Sequence, residues 1–330
     1  MKRQEAEFFD KLMTRSADEI IADLQNGVSL LEIFKCGGLK RKMSIVGAFG
    51  RLGLKIARRR TKMDSSNPGF GLTLRHETAK LIEDIAPLRL LGRTPRPKNG
   101  LVIGFNHPSL GEVLRIIAIC CKKFPRQRYL FPVTISYYEA LLPMKERCEQ
   151  MGFFMAPIVT PKMSEIFLNS SPEHTQEIER LRSSLNSHYL QKCCDFIENG
   201  DIVVLAPSAQ RQETVFNSLD EMTKRKMIEP ATMSLLATAL RRKLSRGDYS
   251  LVSLAVKKPQ YGGKGMNFGR CYDFCFGKMI QGKTAQALAR QRYEVFDGKK
   301  RVRRGRLFDY LFLTELARTL EDMGASGAII

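Results

Sequence analysis

Two periods alternate along this chain. Short apolar runs at residues 101–105, 129–136, 152–159, 201–206 and 249–256 have the length and bounding turn residues of buried strands. Residues 267–276 read as a further strand near a sheet edge. Between these runs, apolar positions recur every three or four residues: a helix over 75–85, another over 112–122, one over 137–150 broken near Pro143, and a long one over 173–199 stopped by Gly200. A further helix is expected over 231–244. Strands alternating with helices predict an α/β fold: a mixed, mostly parallel central sheet flanked by helices.

The first 38 residues lack strand signals. Ser16-Ala17-Asp18-Glu19 has the form of a capping box, followed by Ile20, Ile21 and Leu24 on one face and stopped by Asn26-Gly27. A short helix over 29–34 is expected to end at Gly37-Gly38. Over residues 39–62, Ile45, Phe49, Leu52 and Ile56 fall on one stripe, with Arg51, Lys55, Arg58, Arg59 and Lys62 on the neighbouring arc. A basic amphipathic helix of this kind can lie on an anionic membrane. The turn-rich stretch 63–72 reads as a boundary, so an N-terminal helical region (1–70) is expected ahead of an α/β domain (71–330). The basic run KKRVRRGR from Lys299 leads into an amphipathic helix carrying Leu307, Leu311, Leu316 and Leu320.

Charge narrows the partners. The 330 residues carry a net charge of +20, which favours an anionic partner such as phospholipid headgroups, nucleic acid or a phosphorylated substrate. There is no Trp, and the aromatics are not interleaved with the basic clusters, which argues against a base-stacking platform and against specific nucleic-acid binding. No apolar run approaches the roughly 18–20 residues a spanning helix needs, and the start MKRQEAEFFD lacks the apolar core of a secretory signal. The eight cysteines include two vicinal pairs but no CxxC, and Cys271 and Cys275 have no second pair at zinc spacing. Reduced thiols, no bound metal and a cytoplasmic, peripherally membrane-associated protein are expected.

Candidate chemistry gathers around one loop. The run Leu101-Val102-Ile103-Gly104-Phe105 ends on Asn106-His107-Pro108, and Glu112 follows five residues after the histidine as a helical pattern begins. Open α/β sheets bind ligands at the C-terminal ends of strands, where His107 falls. A histidine there can take a proton from a hydroxyl, and a carboxylate on its other ring nitrogen fixes the tautomer and steadies the imidazolium. The hydroxyl could then attack an acyl carbonyl directly. The other three histidines, His76, His174 and His188, lie in helical, polar surroundings.

The segment from Asn106 to Glu112 resembles the first motif of the glycerolipid acyltransferase superfamily, of the acylglycerol-phosphate acyltransferase type: Asn-His-x4-Asp, here with Glu as in the late acyltransferases of lipid A. Residues 197–207 are similar to the run into that family's second motif, with Pro207 and Arg211 matching and Ser208, Ala209 and Gln210 standing where Glu, Gly and Thr are usual. Gly152-Phe153-Phe154-Met155 looks like the opening of a third motif, without its closing arginine. Residues 251–255 stand for the last motif, without its proline. The likeness spans about residues 75–280.

The resemblance implies an acyltransferase that moves a fatty acyl group from acyl-CoA or an acyl-carrier protein to a hydroxyl of a lipid or lipid-like acceptor at a membrane surface, with no other cofactor. It implies catalytic roles for His107 and Glu112 and substrate contacts for Asn106, Ser109, Ser208, Gln210 and Arg211. The competing expectations are an inactive family member that binds lipid, and a basic nucleic-acid-binding or scaffold protein.

Overall fold

The computed structural model describes residues 12, 14–107, 111–207, 232–259, 267–297 and 300–324, with the side chains of 232 and 293–305 left aside. The chain divides into two compact units, each discontinuous: residues 1–62 with 130–193, and residues 63–129 with 194–330. The turn-rich stretch after Lys62 falls at the first break, and residues 130–193 share a unit with the N-terminal helices. The fold is α/β, a mixed and mostly parallel sheet flanked by helices.

The first unit opens with helices α1 (Ala17–Gln25), α2 (Leu30–Ile33) and α3 (Gly37–Thr61). The capping box forms as expected: the Glu19 amide donates to Ser16 Oγ and the Ser16 amide donates to the Glu19 carboxylate. Gly37 and Gly38 do not end a helix. The break comes at Lys35, in the left-handed region, and the two glycines begin α3.

The second unit supplies α4 (Phe70–Ile85), β1 (Leu88–Leu91), β2 (Gly100–Phe105) and α5 (Gly111–Lys123). The chain then returns to the first unit with β3 (Tyr129–Thr134), α6 (Ile135–Leu141), α7 (Lys145–Gln150), β4 (Phe153–Ile158) and α8 (Pro161–Ser170). Helix α9 (Thr175–Glu198) leads to β5 (Ile202–Leu205). The rest of the second unit follows as α10 (Thr232–Lys243), β6 (Tyr249–Lys257), β7 (Tyr272–Phe276), β8 (Ile280–Gln281), α11 (Gly282–Leu288), β9 (Arg292–Asp297), β10 (Lys300–Arg306) and α12 (Leu307–Asp322).

The first unit closes around Leu12, Ile20, Leu24, Leu30, Leu31 and Phe34 packed with Ile135, Tyr138, Met163, Phe167, Ile178 and Leu181. Phe34 stacks on Phe167 at 4.4 Å between ring centroids. In the second unit the strands run in the order β1-β7-β6-β2-β5, with β8 on β6. β2 is parallel to both β5 and β6, and β1 is parallel to β7, while β6 meets β7 and β8 antiparallel. Every residue of β2 is buried, as expected for a parallel strand covered on both faces. Gly104 lets α12 come close: a Cβ there would stand 2.6 Å from the Phe312 ring and 3.2 Å from Pro207.

Helix α12 buries Phe308, Phe312, Leu313, Leu316 and Leu320 and leaves Leu311 exposed, so its apolar face is turned from the expected leucine stripe toward the two phenylalanines. Six elements went unread: β1, α8, β8, α11, β9 and β10. Thr160, whose side chain accepts from the Met163 amide, and Pro161 just inside the helix mark the start of α8. The Asp-Gly pair before KKRVRRGR marks a hairpin, and β10 does pair antiparallel with β9, Lys300 opposite Asp297.

Helix α3 has an unusual surface. Ile45, Phe49, Leu52 and Ile56 are 58%, 68%, 54% and 37% exposed, and Arg51, Lys55, Arg58, Arg59 and Lys62 are exposed beside them. The helix packs through its glycine side instead, where a Cβ on Gly47 would lie 2.5 Å from the Ala140 carbonyl oxygen. Gly53 meets nothing within 4 Å. Gly47→Ala is therefore expected to cost on the order of 1–3 kcal/mol of stability. Gly53→Ala is expected to add roughly 0.5–1 kcal/mol. Urea unfolding of the two variants measures both, and equal effects from the two would contradict this packing.

Candidate active site

β2 delivers the chain to Asn106 at the C-terminal end of the strand. That side chain is 1% exposed, and its amide brackets β6: Nδ2 donates to the Val256 carbonyl at 2.8 Å, and the Val256 amide donates to Oδ1 at 2.7 Å. Both ends of the amide are thus spent on main chain 150 residues away. This holds the strand end from which His107 projects, and it makes Asn106 a positioning side chain in this structure.

His107 and Glu112 meet as expected. Glu112 lies in the first turn of α5 and is fully buried, and it shares a hydrogen bond with His107 Nδ1. A carboxylate only accepts, so the ring takes the tautomer with hydrogen on Nδ1. Nε2 is left as the nitrogen that can receive a proton. The His107 side chain is 20% exposed, and its ring stands edge-on to Phe105 at 6.0 Å between centroids. A base partly open to solvent and backed by a sealed carboxylate matches the demands of general-base chemistry.

The second stretch singled out in the sequence arrives at the same end of the sheet. β5 is parallel to β2 with Gly104 opposite Leu205, so the chain leaves β5 through Pro207 beside the strand end that carries His107. Ser208, Gln210 and Arg211 lie outside the described residues, as does Ser109.

One residue was missed. Among the described residues Arg115 is one of the largest side chains that are completely buried, and its guanidinium donates to four carbonyl oxygens. Burial pushes its pKa down from the usual arginine range, against the opposing pull of Tyr272, Glu112 and Cys271. The available signal was an arginine on the apolar arc of α5, between Glu112 and Ile116.

The other histidines have different settings. His76 is exposed, His174 lies within 4.0 Å of Glu173 and Glu177, and His188 lies 3.6 Å from the exposed Asp18. All eight cysteines are free. Burial raises the Cys120 thiol and pushes Cys121 up to about 12, so neither is a ready thiolate. Among the described residues no group of three or more His, Cys, Asp or Glu could hold a metal ion, and no helix is long and apolar enough to cross a membrane. A cleft of about 700 Å³ in the first unit is lined by α1, α3, α6 and α7 residues, among them Lys40, Arg51 and Glu139, and includes neither His107 nor Glu112.

No protein-family model matches this chain, and no curated protein matches it.

The Asn106 bracket has a measurable weight. Asn106→Ala leaves the Val256 amide and carbonyl without these partners, so a loss on the order of 2 kcal/mol or more is expected. Thermal unfolding measures it. A change within about 0.5 kcal/mol would show that the bracket holds nothing.

Proposed function

We propose that the chain is an acyltransferase that moves a fatty acyl group from a thioester, acyl-CoA or an acyl-carrier protein, to a hydroxyl of a lipid or lipid-like acceptor. The buried Glu112 on the Nδ1 side of a partly open His107 carries this reading. Nε2 takes the hydroxyl proton as the oxygen attacks the thioester carbonyl. The resulting imidazolium is steadied by Glu112. As the tetrahedral intermediate collapses, the C–S bond breaks and the proton on Nε2 passes to the thiolate, releasing a free thiol. The balance needs no metal and no redox partner. The motif resemblance supports the choice of acyl transfer over other general-base reactions, and it favours substrate contacts for Ser109, Ser208, Gln210 and Arg211. An arginine suits the phosphates of CoA or of an anionic acceptor.

The expected result is thiol release from acyl-CoA that depends on a lipid alcohol. His107→Ala should lose at least ~100-fold in rate, and Glu112→Gln should fall severely too. Thiol-reactive dye absorbance follows both. Wild-type rates in the two variants would refute the role given to the pair.

The reaction is proposed to take place on an anionic membrane, with the protein bound peripherally. The exposed apolar stripe of α3 and the basic arc beside it support that partner: the stripe can enter the acyl boundary while the cations meet headgroup phosphates. The protein should pellet with phosphatidylglycerol-containing vesicles at low salt, less so at high salt, and several-fold less as Phe49→Glu. Equal pelleting of wild type and variant would remove α3 from the contact.

A further inference from the structure

The proposed base faces a charge problem. Before it takes a proton, His107 must be neutral, and in that state Glu112 is a carboxylate shut away from water. A neutral imidazole offers it one hydrogen bond and no charge. The first turn of α5 contributes its amide dipoles, which favour an anion there.

Arg115 stands three residues further along α5, on the neighbouring side of the same turn, and is as deeply buried as Glu112. Its fork is held on every side. Nε donates to the Pro87 carbonyl at 3.0 Å, and Nη1 donates to the Gly111 carbonyl at 2.7 Å. Nη2 donates to the Asn267 and Arg270 carbonyls at 3.0 and 2.7 Å. The guanidinium also lies 4.0 Å over the Tyr272 ring, whose hydroxyl accepts from Asn267 Nδ2. This cage sets the plane of the cation and ties the start of α5, through Gly111, to the segment before β1 and to the approach to β7.

We propose that Arg115 is a positioning residue of the His107–Glu112 pair: caged by four carbonyls, it fixes the first turn of α5 and supplies the stationary positive charge that keeps Glu112 ionised while His107 stays neutral. This rests on the general-base reading of the pair, not on the identity of the substrate. Besides Glu112, Cys271 and Tyr272, on the approach to and start of β7, act on the Arg115 charge. On helix α4, which packs on α5, Arg75 donates to the Pro125 and Gln127 carbonyls, and Glu83 pairs with Lys122 at the far end of α5.

The test is a nuclear magnetic resonance titration of the histidine rings in the full chain, with His107 assigned from a His107→Gln spectrum and the exposed His76 as an internal reference. Removing the cation leaves Glu112 to hold the His107 proton unopposed. In Arg115→Gln, which keeps a donor amide but no charge, the His107 midpoint should rise by roughly half a pH unit or more while His76 stays put. Arg115→Lys, which keeps the charge, should return it most of the way. The acid limb of thiol release should move up with the midpoint. An unchanged His107 midpoint in Arg115→Gln overturns the proposal.

Should Arg115→Gln not fold, Glu112→Gln probes the same charge balance from the other side. With the carboxylate gone and Arg115 in place, His107 must titrate below His76, and a midpoint at or above it overturns the proposal. Because the titration needs no turnover, a shifted midpoint without thiol release would sustain Arg115's role and sink the acyltransferase reading.

Discussion

A carboxylate sealed from water at the start of a helix is the constraint on which the site depends. An ionised group in such a place costs several kcal/mol unless its surroundings answer the charge. Around Glu112 stand a ring nitrogen of His107, the amide dipoles of the first turn of α5 and, in our proposal, the charge of the caged Arg115 one step further on. That arrangement sets the tautomer of His107, and the tautomer decides which nitrogen can do chemistry. The same hydrogen bond joins the end of β2 to the start of α5 across a short loop, so strand and helix must be held rigidly for it to persist.

The rest of the second unit supplies that rigidity. β2 sits between two parallel neighbours, buried along its whole length, and Asn106 ties its exit to the main chain of β6. Gly104 has no side chain, which is what allows Phe312 of α12 to press on the strand just before the histidine. Side-chain entropy around His107 is therefore lost during folding. β5 brings its own C-terminal end alongside, so two segments a hundred residues apart reach one edge of the sheet.

The first unit follows another logic. Its core is ordinary, with aliphatic and aromatic side chains from helices at both of its sequence ends. Its surface is not, because α3 turns Gly47 and Gly50 inward and its large apolar residues outward. Glycines lower the intrinsic stability of a helix, and here they let α3 lie close to α6 and leave the opposite stripe unclaimed. A chain with a net charge of +20 that also displays a contiguous apolar stripe is suited to a surface that is both anionic and oily.

Much was legible along the chain itself. The capping box at Ser16 and Glu19, the continuous apolar run of β2 and the spacing of His107 and Glu112 are local: each depends on residues within a turn or a short loop, where the backbone period alone decides what meets. Other features were not. The Asn106 bracket spans 150 residues, and the four carbonyls around Arg115 come from three separate stretches, so no periodicity could announce them. The outward face of α3 and the turned face of α12 were likewise undecidable from pattern, since an amphipathic period shows that a face exists and not whether anything covers it. The order of residues by itself determined the α/β class, the run of helices ahead of it and the acid–base pair at its centre, because each follows from short-range periods and one loop. Only the tertiary structure decided which strand lies beside β2, what answers the buried charge and which apolar stripe stays in water, because those depend on burial among residues far apart in the chain.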